Sequence, residues 1–307
     1  SENVNFFVEA IKKSDAITTV SESFGIESQD MSRGEGVSFA AREAAQAGKL
    51  TGIINGSNPH SWNPKEDALL KNWKDPETGI PFDLTYGPNE DDLTIIEKKE
   101  LCKTHLQKWV AQNFPHAKVD FTKPIVTYVG RFDSYQKGLD KLEGAIEETL
   151  KNGVQFIVMG SLEDKKASKI LDDLEIKYKE NVLFIRDFKD PNGRYHYQQG
   201  DKDRQGCGSL VRGASDFLFI PSKFEPCGLV QFEGWLFGSL SIGSNVGGLS
   251  DTIIPPEKNS ERFNGFLFDR EEKNSMETAI RTALSTWKNY TPEQKGRLVR
   301  RIIEEGR

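Results

Sequence analysis

From residue 124 onward, short apolar runs alternate with helical patterns, and this alternation does most to limit what the chain can fold into. "PIVTYVG" is a strand-like run. The segment from Lys137 to Asn152 then sets Leu139, Leu142, Ile146 and Leu150 along one helical face. "VQFIVMG", "ASKILDDLEIKYKE" and "NVLFIRDF" continue as strand, helix and strand. After the polar stretch "KDPNGRYHYQQGDKDRQGCG" come a short helix, the strand "DFLFIPS", the helix "LVQFEGWLFG", the strand "SLSIGS" and a last strand near "NGFLFD". Strands that are apolar throughout are buried on both faces, which calls for a parallel sheet covered by helices on each side. The expected fold class is therefore α/β: a Rossmann-like parallel sheet with helices on both faces, spanning residues 122–307. Residues 1–121 read as a hinge or linking region. In it 1–14 is a helix, "AITTVSES" a short strand ending in turn residues and "SFAAREAAQAG" a helix. "LTGIINGSNPHSWNPKED" reads as a loop, 73–92 as a connecting segment and 93–113 as a helix.

Charge and cysteine usage exclude several classes. The net charge is -6 with both signs interspersed, which speaks against a nucleic-acid surface. No apolar run approaches the ~18 residues of a membrane span. Cys102, Cys207 and Cys227 show no CxxC spacing, so neither a disulfide framework nor a zinc site is expected. A reducing compartment follows, and no secretory signal pattern opens the chain. No GxGxxG follows the first strand and no GxxxxGK[ST] occurs, which removes the dinucleotide and P-loop fingerprints.

In open α/β sheets ligands sit beyond the carboxyl ends of the strands, and three such loops carry polar residues. "GRFDSYQKG" offers Arg131 and Lys137, a planar fork and a mobile point charge suited to a diphosphate. "FEPCGLVQFE" places Glu225 before a Pro-Cys-Gly corner and Glu233 about one turn into a helix whose N-terminal amides attract anions. Beside a phosphate site, carboxylates make sense as acceptors for ligand hydroxyls. "SNVGGLSDT" has two glycines that permit close backbone approach, and Asp251 to cap the turn. Each loop alone also has a plain structural reading as a solvated or turn-forming segment.

Together, in order and spacing, "AITTVSES", "GKLTGIINGSNPHSWNPKED", "VGRFDSYQKGLD", "GASDFLFIPSKFEPCGLVQFE" and "GSNVGGLSDTI" resemble the C-terminal half of the glycogen and starch synthases. These are retaining glycosyltransferases of the GT-B fold, with two Rossmann-like domains facing a cleft. The resemblance implies that Arg131 and Lys137 hold the donor diphosphate and that Glu225 contacts hydroxyls of the transferred sugar. Cys227 and Gly228 form the corner from which Leu229 and Val230 offer amides to phosphate. Asn55 approaches the sugar site, Glu233 lies where related enzymes bind the ribose, and Gly247 and Gly248 belong to the substrate-binding set. Neither metal nor other cofactor is implied, the nucleotide sugar being substrate. The implied activity is glucose transfer from ADP- or UDP-glucose to an α-glucan, in cytoplasm or plastid.

Departures keep alternatives open. The Arg131–Lys137 spacing of six resembles the animal and yeast enzymes rather than the bacterial five, and Glu233 replaces a usual tyrosine. The family's stacking tyrosine is not at its place, with Tyr195 or Tyr197 as substitutes. A same-fold enzyme using another donor, such as GDP-mannose, on a protein or other acceptor is the second reading, and a non-catalytic binding module the third. Joint retention of Arg131, Lys137 and Glu225 speaks against the third. The family's N-terminal domain, with its Lys-Thr-Gly-Gly-Leu motif, and its closing aromatic helix are not found here. A fragment needing that domain as partner is expected. Arg297, Arg300 and Arg301 are expected on a solvated C-terminal helix.

Overall fold

The computed structural model describes residues 5–31, 36–60, 62–186 and 207–306. Helix α1 (Phe6–Lys13) leads into strand β1 (Ile17–Thr19), helices α2 (Glu22–Glu27) and α3 (Ser38–Gln46), and strand β2 (Leu50–Gly52), which pairs in parallel with β1. Where the sequence suggests only turn residues after β1, Ser21 instead caps α2 by accepting from the Phe24 amide. Next come helix α4 (Ala68–Lys71), the hairpin of β3 (Trp73–Lys74) and β4 (Pro81–Phe82), and the long helix α5 (Asp92–Asn113).

The main sheet is built from β5 (Ile125–Phe132), β6 (Gln155–Leu162), β7 (Val182–Arg186), β8 (Phe217–Ile220), β9 (Leu240–Ser244) and β10 (Gly265–Phe268). Between and after them lie α6 (Leu142–Lys151), α7 (Lys165–Tyr178), α8 (Cys207–Ala214), α9 (Val230–Leu236), α10 (Gly247–Thr252), α11 (Ser275–Asn289) and α12 (Pro292–Glu305). All six strands are parallel, in the order β10-β9-β8-β5-β6-β7. This is the helix-covered parallel sheet that the apolar runs predict. Phe156, Phe217, Phe219 and Phe268 are fully buried within it, each such side chain contributing about 1.5–3 kcal/mol.

The first strand, β5, lies mid-sheet, so chain direction switches between β5 and β8. There the ladder is short: β5 and β8 share only the pairs Val126–Phe217 and Thr127–Leu218, whereas β5 stays with β6 through eight pairs to Phe132 and Leu162. The two middle strands part toward their carboxyl ends, and a crevice opens between them. At the opposite end Asp216 ties them together. Its amide donates to Ile125 O at 3.1 Å and its carboxylate accepts from the Ile125 amide at 2.8 Å.

Three local expectations need correction. The 73–92 segment is not a mere connection, because Trp73, Leu84 and Tyr86 are fully buried in the same apolar cluster as the sheet. The helix expected from Lys137 begins as a single turn at Leu139–Lys141 and becomes regular only at Leu142. The last helix, α12, is solvated on one face only: Leu298, Val299, Ile302 and Ile303 are buried, and it packs on α5 and α9. Its arginines act as fastenings, Arg300 reaching Asp92 at 2.9 Å and Arg301 donating to Phe263 O at 2.5 Å.

Helix α5 carries charges inward. Lys103 pairs with Asp216 at 3.0 Å. Lys99 is fully buried and donates to Gly213 O, Ser215 O and Phe237 O at 2.8–3.0 Å, tying α5 to the ends of α8 and α9. Burial pulls its ammonium down to about 8. Replacing it by an apolar group leaves three buried carbonyls without that donor. Lys99→Met is expected to cost about 3 kcal/mol, read as a lowered urea midpoint with unchanged slope.

Asp75 is buried at the hairpin and accepts from Lys108 at 2.8 Å and from the amides of Glu77 and Thr78. The Lys108 bond holds its carboxyl well below the usual carboxylate range, against the opposing effect of burial. The unfolded chain therefore binds a proton at higher pH than the folded one. The stability from this group is present above its ordinary value of 3.8 and fades as pH falls below it. The melting-temperature gap between the wild type and Asp75→Asn is expected to narrow progressively on acidification from pH 5 to 3; a constant gap contradicts this.

Candidate active site

The crevice between β5 and β8 widens into a cleft of about 640 Å³, within the usual range for small-ligand sites. Its walls include Tyr128 to Arg131 from the end of β5 and Phe219 to Ser222 from the end of β8. Arg131 is not in the loop, as the sequence suggests, but on β5 itself, paired in register with Ser161. Tyr128 accounts for its position by donating its hydroxyl to Arg131 O at 2.9 Å; burial pushes that phenol far up.

Beyond Arg131 the chain turns at Asp133, whose side chain accepts from the amides of Tyr135 and Gln136. Gly138 follows in the left-handed region, and a Cβ there would stand 1.7 Å from Pro221 O. Only glycine lets the two loops close on each other. The Lys223 amide then donates to Gln136 O at 2.8 Å, fixing the β8 loop against the β5 loop. Through this lacing Lys137 meets Glu225, Nζ to Oε2 at 2.7 Å, while the Ser222 hydroxyl donates to the same oxygen at 2.9 Å. Glu225 is 6% exposed, so both donors matter to holding its charge. Arg131 lines the cleft, is half exposed and donates to Gln136 at 3.1 Å.

The corner after Glu225 runs through Pro226, Cys227 and Gly228 into α9, and all three line the cleft with Leu229 and Val230. Helix α9 begins without a side-chain cap, and half-exposed Leu229 stands at its start. Such a start leaves first-turn amides able to meet an anion. Burial pushes the Cys227 thiol up. Exposed Asn55 lines the rim. Glu233 lines the far wall, where its Oε2 accepts from Arg212 Nη2 at 2.9 Å.

Nine of the eleven expected site residues thus share one cleft: Arg131, Lys137, Glu225, Asn55, Cys227, Gly228, Leu229, Val230 and Glu233. Gly247 and Gly248 stand behind it. Their close approach is to the protein's own backbone, since a Cβ on Gly247 would lie 2.2 Å from Glu225 O and one on Gly248 1.9 Å from Cys227 O. The Gly248 amide donates to Glu225 O at 2.8 Å. Asp251, expected to cap its own turn, instead accepts from the Ser23 amide and hydroxyl at 2.9 and 2.5 Å. The altered segment with Tyr195 and Tyr197 lies outside the described residues. Arg212, Trp62 and Gln136 join the cleft without having been singled out in the sequence. No local pattern marks Arg212, because its partner arrives from a helix 21 residues later. Among the described residues no group of three His, Cys, Asp or Glu is placed to hold a metal ion, and no helix is long and apolar enough to cross a membrane.

A helix-covered parallel sheet with a cleft at its switch point is a Rossmann-like domain, the kind of domain from which the GT-B class is built. Residues 111–304 match the family Glycosyl transferases group 1, and the chain belongs to it. It is 31% identical over 302 residues to granule-bound starch synthase 2 of Pisum sativum, covering 96% of this chain and 34% of that protein. It is also 31% identical over 303 residues to a glycogen synthase of Syntrophotalea carbinolica, covering 99% of this chain and 54% of that one. The chain therefore spans about half the length, or less, of these curated relatives. Among solved structures it resembles the catalytic domain of starch synthase IV from Arabidopsis thaliana bound to ADP and acarbose. That match has a TM-score of 0.76 at 26% identity and covers 98% of this chain and 54% of the other.

The glycine contacts make the corner testable. Gly248→Ala is expected to cost about 1–3 kcal/mol in urea unfolding and to displace the Cys227 carbonyl in a crystal structure. Gly56→Ala, with nothing near its added Cβ, is the control and is expected to stay within about 0.5 kcal/mol of wild type.

Proposed function

We propose that this chain is the donor-binding part of a retaining, glycogen/starch synthase-like glycosyltransferase that moves glucose from ADP- or UDP-glucose to an α-glucan. The observation that carries the reading is the meeting of Arg131, Lys137 and Glu225 in the switch-point cleft beside the uncapped start of α9. The ADP and acarbose named for the Arabidopsis neighbour fit a nucleoside diphosphate at the cations and a glucan-like chain nearby.

Within the cleft Lys137 rests on Glu225 at 2.7 Å. A donor diphosphate competes for that ammonium. Once Lys137 turns to phosphate, Glu225 Oε2 regains acceptor capacity for sugar hydroxyls, with Ser222 still holding the carboxylate in place. As the bond between sugar and diphosphate breaks, negative charge gathers on the leaving phosphate and positive charge on the ring. Arg131, Lys137 and the first amides of α9 stabilise the leaving group, electrostatic catalysis with no proton transfer required of them. The acceptor hydroxyl oxygen forms the new bond to the same sugar carbon, and its proton passes to the departing phosphate oxygen, so the nucleoside diphosphate leaves with that proton.

Calorimetric titration with ADP-glucose, UDP-glucose and GDP-mannose, repeated on Lys137→Ala, tests the reading. One glucose donor is expected to bind, with affinity reduced about tenfold or more in the variant, the weight of one charge-assisted bond. Equal affinity in a folded variant would remove Lys137 from the phosphate site. Binding of GDP-mannose alone would favour the second class of donor.

A further inference from the structure

Glu233 does not stand alone in the cleft. Arg212, from the last turn of α8, donates from Nη2 to Glu233 Oε2 at 2.9 Å, and its guanidinium carbon lies 4.5 Å from the centre of the Trp62 ring. All three line the cleft, and both charged side chains are largely buried, at 12% and 19% exposure. The indole covers one face of the guanidinium, so its hydrogen-bonding edge is held in a fixed direction. Among the described residues only Oε2 of Glu233 is engaged, and Oε1 remains for a ligand.

We infer that Arg212 is a positioning residue that makes Glu233 a reader of ribose hydroxyls: it fixes the carboxylate plane by one oxygen and leaves the other for the vicinal diol of a nucleoside diphosphate. The inference rests on the cleft being the donor site.

Two physical reasons support the pairing. An isolated carboxylate beside a diphosphate is repelled by it, and a guanidinium bonded to the carboxylate through Oε2 offsets that repulsion while leaving Oε1 unengaged. A carboxylate free to rotate would also accept from a hydroxyl at many positions, whereas one held in plane accepts in one. The charges along the cleft follow suit. Lys137 rests on Glu225 and Arg212 on Glu233, while Arg131 donates to the neutral Gln136 at 3.1 Å and lies 3.8 Å from Asp133. Arg131 and Lys137 are placed for phosphate, and Arg212, stacked and committed, for orienting its neighbour. Arg212→Ala or a similar change would then alter what the site distinguishes more than how tightly it holds phosphate.

The test uses nucleoside diphosphates without a hexose, so that the ribose carries the only hydroxyls. The 307-residue chain is titrated with ADP, UDP and GDP, and the tightest of these is compared with its 2′-deoxy counterpart on wild type, Arg212→Met and Arg212→Gln. Wild type is expected to favour the ribo form about tenfold, the value of one hydrogen bond to a charged acceptor. In Arg212→Met that preference is expected to fall to about twofold or less, with an intermediate value in Arg212→Gln, which keeps a planar donor. Far-UV circular dichroism and thermal melting establish that each variant is folded. An undiminished ribo preference in either folded variant overturns the inference and leaves Arg212 a packing residue. Absence of any preference in a wild type that binds the diphosphates also overturns it, by removing Glu233 from the ribose. Failure of wild type to bind any of the three is a different result: it removes the donor-site reading, and the inference falls with it.

Discussion

Asp216 fixes the geometry on which the cleft depends. Its backbone and its carboxylate both bond to Ile125, so β5 and β8 are joined at their amino ends. Lys103 from α5 neutralises the buried charge, and the Thr127 and Ser215 hydroxyls meet alongside at 2.5 Å. Strands have a right-handed twist, and two strands pinned at one end by so dense a polar cluster diverge at the other unless something pairs them there. Among the described residues their ladder ends at Thr127 and Leu218, and only the loops beyond are laced together, the Lys223 amide donating to Gln136 O. The opening at the carboxyl ends is therefore the counterpart of the closure at the amino ends.

Within that opening the protein pairs its acidic groups with donors. Buried carboxylates are costly unless paired and hydrogen-bonded. Glu225 has Lys137 and Ser222, and Glu233 has Arg212. Each pair presents one cation and one acid to the cleft wall, an arrangement suited to a ligand that carries phosphates at one place and hydroxyls at others. Preorganisation of this kind also limits the rearrangement needed when charge develops during a reaction.

The upstream unit contributes to the same corner. The Ser21 hydroxyl donates to Pro226 O at 2.6 Å, the Gly247 amide donates to Glu27 at 2.9 Å, and Asp251 holds the start of α2. Helices α2 and α10 thus pack as a brace behind residues 225–228. The core likewise runs across residue 122, since α5 packs on α8 and α12. Residues that read as linker in the sequence hold the carboxylate corner from behind.

The periodic apolar runs by themselves determined the parallel sheet, because a strand apolar on both faces has no stable place except between two helical layers. Position past strand ends made Arg131, Lys137, Glu225 and the Pro226–Gly228 corner candidates, and the resemblance of the loops in their order raised them above their plain structural readings. The tertiary structure alone decided the rest. It turned the Gly247–Gly248 pair toward the protein's own carbonyls, placed Lys99 and Lys103 inward on a helix of weak amphipathic pattern, and made α12 a packed element. It also brought Arg212 and Trp62 to Glu233. These outcomes hang on which distant groups approach within hydrogen-bond reach, a fact of long-range packing that no local period or motif carries.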